Sequence, residues 1–359
     1  MRPHPAGRLH EGAGRPVTGA ATATASPPRL GRTPRLGFLG VGWIGRSRMQ
    51  TLVASGAGSA VGVADPDAGQ CRSAAALDPG CRAVASFEEL LSSDIDGLVI
   101  ATPSALHARQ AVAALEAGIA VFCQKPLGRD RGETERVVAA ARDADRLLGA
   151  DLSYRHTAAT ARAREVLESG ALGDIFELEL AFHNAYGPDK PWFRERRLAG
   201  GGCLVDLGTH LADLALHLLG TDDWRVRSSR VLRGGARVDP TGSEVEDFAV
   251  AELEIDGVLV RLGCSWWLSA GRDCAFEMKL NGTDGAVAVE NVEGSFYDFR
   301  CELRRGTTAV TLTRPPDQWP GRALVEWTRR LARRPQFDPA VEELVELAGL
   351  LDSIYRAAS

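Results

Sequence analysis

Leu36-Gly-Phe-Leu-Gly40-Val-Gly42-Trp43-Ile44-Gly45 is a short apolar strand that runs directly into a Gly-x-Gly-x-x-Gly turn. The next apolar stretch, Ala60-Val-Gly-Val-Ala64, closes on Asp65, about 20 residues further on, as a dinucleotide fold requires. Each glycine has a mechanical task. Gly40 permits the tight turn, Gly42 lets the backbone approach a pyrophosphate, and Gly45 lets the new helix pack on the strand. The helix then opens with free N–H groups and the positive end of its dipole facing the phosphates. A lone turn of this composition is weak evidence, but here strand, helix and terminal acid agree. The stretch predicts a dinucleotide site with Gly40, Gly42, Trp43, Ile44 and Gly45 against the cofactor. Asp65 can accept hydrogen bonds from an adenosine ribose and would repel a 2′-phosphate. Pro66 and Asp67 follow it, and Arg72 is the first basic residue. The expected cofactor is NAD, with NADP as the alternative.

From Arg35 to about Asp151 apolar strands alternate with helical segments, the pattern of a parallel sheet covered on both faces. After the first unit come Arg82–Ala85, Gly97-Leu-Val-Ile-Ala101, Ile119-Ala-Val-Phe-Cys123 and Leu147–Ala150 as strands. Ser86-Phe-Glu-Glu89 reads as a capping box. Ser104 reads as the cap of a helix that ends at Gly118, where a left-handed residue is wanted. Two strand ends carry polar residues: Thr102-Pro103-Ser104 with His107, and Gln124-Lys125-Pro126. Ligands of an open α/β sheet sit outside the carboxyl ends of its strands. Thr102, Pro103, His107 and Lys125 are therefore expected beside the cofactor. Pro126 holds Lys125 in an extended backbone, pointing it into the cleft.

The chain has 359 residues, room for two domains, with 45% hydrophobic and 25% charged residues, the mix of an ordinary globule. A formal net charge of −5 and the lack of a basic stripe with interleaved aromatics give no reason to expect nucleic acid. Apolar runs are too short or too interrupted to predict a membrane span. Seven cysteines without a Cys-x-x-Cys pair suit reduced thiols in a cytoplasm rather than a disulfide framework or metal site. Residues 1–33 differ in composition, with five arginines against one acid, Glu11. They lack the apolar region of a secretory signal, and read as a disordered tail or a start codon placed too early.

After Asp151 the pattern changes. A helix is expected around Ala158–Glu168, then strands at Ile175–Phe182, Asp247–Ile255, Val258–Ser265, Ala275–Leu280 and Ala286–Glu290. Turns such as Asp256-Gly257 and Asp284-Gly285 make this half mainly antiparallel. Residues 339–358 form an amphipathic helix. The informative stretch is Gly200-Gly-Gly-Cys-Leu-Val-Asp206-Leu-Gly-Thr-His210-Leu-Ala-Asp213-Leu-Ala-Leu-His217. On an ideal helix Asp206, His210, Asp213 and His217 fall within about 60° of one another. The rest of the surface is apolar, so this stripe must line a cavity or be paired. Asp206, one turn before His210, is expected to fix the imidazole's tautomer as an acid–base unit. A satisfied structural pair and a metal site, with Asp213 as a further ligand, are the competing readings.

With these residues in view, the chain resembles the Gfo/Idh/MocA family of sugar and cyclitol oxidoreductases from residue 34 onward. The carriers are Gly40-Val-Gly42-Trp-Ile-Gly45, Thr102-Pro-Ser-Ala-Leu-His107, Lys125-Pro126 and Gly201-Gly202-x-x-x-Asp206-x-x-x-His210. The resemblance implies a Rossmann domain over 34–152 and a substrate and oligomerisation domain over 153–359, with an open-faced, mainly antiparallel sheet. It implies a homo-oligomer formed through that sheet, and helix 339–358 returning to the domain junction. It implies that Lys125, Asp206 and His210 flank the nicotinamide, and that Tyr154, Arg155 and Trp192 lie near substrate. The family usually has Glu-Lys-Pro where this chain has Gln124-Lys125-Pro126, which removes a carboxylate that could stabilise the lysine's charge.

The expected activity is NAD-dependent oxidation of a secondary alcohol to a ketone on a small polyhydroxylated ring. His210 is expected to accept the hydroxyl proton, with Asp206 orienting it and Lys125 hydrogen-bonding the reacting oxygen. Family members divide the proton work between Lys and His differently, so either Lys125 or His210 can take that role. The rival readings are a glycosidase using NAD for transient oxidation and elimination, and a non-catalytic NAD sensor.

Overall fold

A computed structural model describes residues 32–220 and 223–358, so residues 1–31 of the expected tail lie outside the described residues. The first sheet is formed by β1 (Arg35–Leu39), β2 (Ser59–Ala64), β3 (Arg82–Ala83), β4 (Gly97–Ile100), β5 (Ala120–Cys123) and β6 (Leu148–Ala150). They are parallel, in the order β3-β2-β1-β4-β5-β6. The order reverses between β1 and β4, so the crevice at their carboxyl ends is where a ligand sits. β4 and β5 are buried at every position, because both faces carry helices.

One of those helices comes from far along the chain. Arg322–Arg333 lays Ala323, Leu324, Trp327 and Leu331 into the core formed by Leu36, Phe38, Val99 and Phe122. A Cβ on Gly97 or Gly149 would stand 2.7 or 2.6 Å from the Trp327 ring. Those two strand glycines are the space the indole occupies. The division at residue 152 therefore follows chain order but not packing, since this helix completes the first layer. Ser104 also differs from expectation: it is the first residue of helix Ser104–Glu116, whose cap position is Pro103, without a side-chain hydrogen bond. Ser86 does cap its helix, accepting from Glu89 N at 3.2 Å, while Glu89 reaches back to Ala85 N at 2.8 Å.

The second sheet holds β7 (Ile175–Asn184), β8 (Trp224–Arg233), β9 (Ala236–Arg237), β10 (Phe248–Ile255), β11 (Val258–Ser265), β12 (Cys274–Gly282), β13 (Gly285–Asn291), β14 (Phe299–Arg305) and β15 (Thr308–Thr313). Its order is β15-β14-β13-β12-β7-β11-β10-β8-β9, antiparallel throughout except for the β7–β11 pair. β8, β9, β14 and β15 are additions to the expected set. Arg-rich β8 and β14 lie towards the edges, where long charged side chains mask the period-2 signal. One face buries Leu178, Leu180, Phe182, Leu253, Leu262 and Met278. The other face is open and lined by ion pairs, with Arg261 and Lys279 both on Glu179.

The buried face is covered by helix Thr209–Leu219, whose residues are buried all round except at His217 and Leu219. With its approach it forms the segment Arg196–Leu219, long and apolar enough to cross a bilayer, but its most apolar stretch of 18 residues is 78% buried inside the molecule. Its apolarity is that of a core helix. Residues Pro339–Glu342 make one 3₁₀ turn before helix Glu343–Ala357 begins. That helix bridges the halves. Arg131 N donates to Asp352 Oδ2 at 3.1 Å, and Ser229 Oγ donates to Ile354 O at 2.6 Å.

Candidate active site

The glycine turn is built by exclusion. Gly40 has φ +82°, and a Cβ there would lie 2.6 Å from the Ala101 carbonyl oxygen. A Cβ on Gly45 would lie 2.1 Å from Gly40 O, whereas nothing stands within 4 Å of one on Gly42. Gly42 borders a cleft of about 650 Å³ lined by Trp43, Ile44, Thr102, Pro103, Lys125 and Trp192 among others. No side chain caps helix Trp43–Ser55, so its first N–H groups are free to meet phosphate oxygens. These features fit a dinucleotide. Asp65 ties the turn to the second strand, accepting from Val41 N and from Asp67 N, both at 2.9 Å.

His107 is a strut. Its ring nitrogens stand 2.7 Å from Pro126 O and 2.7 Å from Thr102 O, clamping the two polar strand ends together. A neutral imidazole donates to one of these two carbonyls, and the buried ring, packed against both, ties the strand ends together. Thr102 Oγ1 donates to Gln110 Oε1 at 2.6 Å.

A second cavity of about 350 Å³ adjoins the first and shares Trp43, Ile44, Gln124 and Lys125 with it. Lys125 stands where the two meet. Its Nζ donates to Asp206 Oδ1 at 2.8 Å and to Asp206 O at 2.6 Å. The other Asp206 oxygen accepts from Trp266 Nε1 at 3.1 Å. Asp206 therefore holds Lys125 and not His210, which corrects the expected Asp206–His210 unit. The cause is local. Leu204–Gly208 forms a π turn before the α-helix begins at Thr209. The wider i→i+5 turn changes the rotation between Asp206 and His210. Asp206 is also the carboxylate beside the ammonium, in place of the acid that Gln124 does not supply.

His210 is 8% exposed, lies in the wall of the smaller cavity, and among the described residues its Nδ1 has no partner. Burial, then Lys125 and Arg48, hold its pKa well below 6.5. The imidazole is neutral, with hydrogen-bonding capacity to offer a ligand. Tyr154 packs beside it, ring centroids 4.7 Å apart, within a cluster that includes Phe182, Phe276 and Trp319. Trp192 stacks on Phe193 at 3.9 Å and faces the larger cleft.

Arg155 departs from the expected substrate contact. Its Nε donates to Asp213 Oδ1 at 2.7 Å and Oδ2 at 2.9 Å, and its Nη1 to Glu343 Oε1 at 2.7 Å. The lower part of the polar stripe is thus spent on pairing, with His217 beside Arg164. Among the described residues no three His, Cys, Asp or Glu groups cluster to hold a metal.

Arg48 and Asp151 were not anticipated. Arg48 Nε donates to Asp151 Oδ2 at 2.6 Å and Nη2 to Ser153 Oγ at 3.1 Å. Gln124 Nε2 also donates to Asp151 Oδ2. An amide at 124 suits this cluster, because a second buried carboxylate would compete for one guanidinium. No local pattern marks these residues, which are about 100 positions apart in the chain.

The histidines give stability a pH dependence. Burial, then Arg155 and Arg164, push His217 down to about 3. The unfolded chain takes up this proton below about 6.5 and the native chain does not. The stabilisation is therefore full above 6.5 and lost as pH falls toward 3. Burial raises Asp213 to about 6, an opposing effect that sets in from about pH 7 and offsets part of the loss. Between 7.5 and 6 the urea midpoint should fall. His217→Gln should remove up to about 0.8 kcal/mol of that drop. An identical pH dependence in the variant would place the protonation elsewhere.

Comparison with known proteins finds matches to both halves of the chain. Residues 35–152 match the family model described as "Oxidoreductase family, NAD-binding Rossmann fold", and residues 160–288 match "GFO/IDH/MocA C-terminal domain". A putative UDP-kanosamine synthase oxidoreductase subunit from Amycolatopsis mediterranei is 33% identical over 285 residues, 74% of this chain and 75% of that protein. A 1,5-anhydro-D-fructose reductase from Ensifer adhaerens is 31% identical over 261 residues, 72% of this chain and 76% of the relative. Among solved structures, a 3-ketoreductase from Actinomadura kijaniata in complex with NADP and TDP-benzene superposes with a TM-score of 0.78. The match is 20% identical and covers 91% of this chain and 98% of that one. A levoglucosan dehydrogenase with NADH and L-sorbose gives 0.78 at 21% identity, covering 91% and 97%.

Proposed function

Because the chain belongs to the Gfo/Idh/MocA family of oxidoreductases, we propose that it interconverts a secondary alcohol and a ketone on a sugar, amino sugar or cyclitol. The observation that carries the reading is Lys125, held by Asp206 where the two cavities meet. The larger cleft takes the dinucleotide. The smaller takes the ring, between aromatic walls from Tyr154, Tyr297 and Trp319 and polar groups from His210 and Arg48. When bound, the nicotinamide exchanges hydride with the ring carbon. Lys125 Nζ serves the oxygen on that carbon, giving it a proton in reduction and taking one in oxidation. Asp206 holds Nζ in place and balances its charge. His210, kept neutral, hydrogen-bonds the same oxygen. A panel of inositols, aldoses, amino sugars and nucleotide sugars, followed at the NADH absorbance in both directions, tests the reading. Absence of turnover with every member would overturn it.

Asp65 favours NAD as the partner. At least a tenfold preference for NAD over NADP is expected, about 1.4 kcal/mol, measured as the ratio of dissociation constants. Asp65→Ser should narrow the ratio, and should weaken both cofactors because Val41 N loses its acceptor. A wild type that prefers NADP would contradict this assignment.

We read the open face of the second sheet as the place where copies of the chain meet. Its acidic and basic rows, Glu177 and Glu179 against Arg261 and Lys279, can pair with a rotated copy of themselves. Light scattering should give a dimer or tetramer, and Arg261→Glu should shift it toward monomer. A monomeric wild type at micromolar concentration would remove this reading.

A further inference from the structure

The helix that carries Asp206 and His210 has no cap from its own sequence. Its approach, Gly200-Gly201-Gly202-Cys203, contains no side chain that bonds the first free N–H groups. Those groups are met from across the domain by Glu246, which lies just before β10 and is 0% exposed. Glu246 Oε1 accepts from Gly202 N at 2.9 Å, from Leu204 N at 3.0 Å and from Tyr355 Oη at 2.7 Å. Glu246 O accepts from Cys203 N at 3.1 Å. Arg196 Nη2 stands 3.5 Å from Oε2.

The backbones are in direct contact at this point. A Cβ on Gly202 would lie 1.9 Å from Glu246 O, and one on Gly201 would lie 2.0 Å from Tyr355 Oη. The glycine run is therefore shaped to a clamp made by Glu246 and the Tyr355 hydroxyl. Asp206 N donates to Gly202 O at 3.0 Å, so the first turn after the clamp is the one that holds Asp206. Two of the three donors on Oε1 are backbone groups at the N-terminal end of this turn. Moving them moves the carboxylate that grips Lys125.

We propose that Glu246 is a positioning residue for this site: through Gly202 and Leu204 it sets the π turn that aims Asp206 at Lys125. It touches neither substrate nor cofactor. The inference rests on the reading of Asp206 and Lys125 given above, and its test needs no identified substrate.

The chain has three lysines, Lys125, Lys190 and Lys279, so peptide mass spectrometry after brief acetic anhydride treatment reads each amine separately. The exposed Lys190 and half-buried Lys279 serve as internal references. An ammonium gripped by a carboxylate and a carbonyl acylates slowly, and one that is released acylates faster. Asp206→Asn should raise the Lys125 rate at least threefold relative to Lys190. Glu246→Ala should do the same, with NAD affinity by tryptophan quenching within twofold of wild type. Glu246→Gln, which keeps an acceptor for both backbone donors, should restore the wild-type rate. Glu246→Asp, one methylene short, should resemble the alanine variant and is the readout if Glu246→Ala does not fold. If Asp206→Asn releases Lys125 while the folded Glu246 variants acylate as wild type does, the positioning role is refuted. If Asp206→Asn itself changes nothing, the Lys125–Asp206 reading fails and this inference fails with it.

Discussion

Lys125→Met should lower turnover by at least a hundredfold, about 2.7 kcal/mol of transition-state stabilisation, while NAD affinity stays within a few-fold of wild type. The ammonium is placed between the two cavities with a carboxylate to orient it. The glycine turn and Asp65, which carry the cofactor's phosphates and ribose in this reading, lie apart from it. Methionine keeps the length and apolar stem but can neither give nor take a proton. Asp206→Asn should also lower turnover, because an amide binds Nζ without compensating its charge. His210→Ala should cost on the order of tenfold to a hundredfold as a lost hydrogen bond to the ring. The Lys125–His210 double variant should fall short of the product of the single losses, since both act on one oxygen. Steady-state kinetics beside NAD titration reads all of these. A Lys125→Met enzyme with wild-type turnover would show that the reacting oxygen sits elsewhere.

The second large effect separates two glycines of the same turn. Gly45→Ala puts a methyl 2.1 Å from a backbone oxygen, Gly40 O, with Ala101 Cβ 3.3 Å away. Neither neighbour is a flexible side-chain tip, so strand and helix must separate. A loss of about 2–3 kcal/mol in folding stability is expected, the upper part of the range for overpacking. NAD affinity should fall at least tenfold as the helix N-terminus is displaced. Gly42→Ala has nothing within 4 Å of its methyl and should leave the urea midpoint unchanged. The methyl projects into the cleft, however, and NAD affinity should again fall at least tenfold. If Gly42→Ala binds NAD as the wild type does, the pyrophosphate does not cross this turn.

Much of the protein was legible in the chain because the deciding interactions are local. A strand, three glycines and an acid at fixed spacing specify a turn whose geometry involves few other residues, and the structure builds Gly40 and Gly45 as the spacing implied. The polar strand ends at Thr102 and Lys125 were legible for the same reason: a parallel strand delivers its carboxyl end to one side of the sheet. The apolar helix around His210 announced its burial through composition alone.

What sequence order could not decide were pairings between charged groups and the winding of one turn. Asp206 and His210 sit four residues apart, and an α-helix would have placed them together. Glu246, distant in the chain and bonded by the Tyr355 hydroxyl, meets the N–H groups at the start of that helix, and a π turn stands where Asp206 pairs with Lys125 instead. Arg155 looked free beside the site, yet Asp213 and Glu343 take its guanidinium. Trp327, far from the first sheet in sequence, fills the space left by Gly97 and Gly149. The sequence by itself determined the sheet that holds the dinucleotide and the residue types at its edge. The tertiary structure decided which carboxylate faces which cation, because a buried charge takes whichever partner the packed chain brings within hydrogen-bond reach.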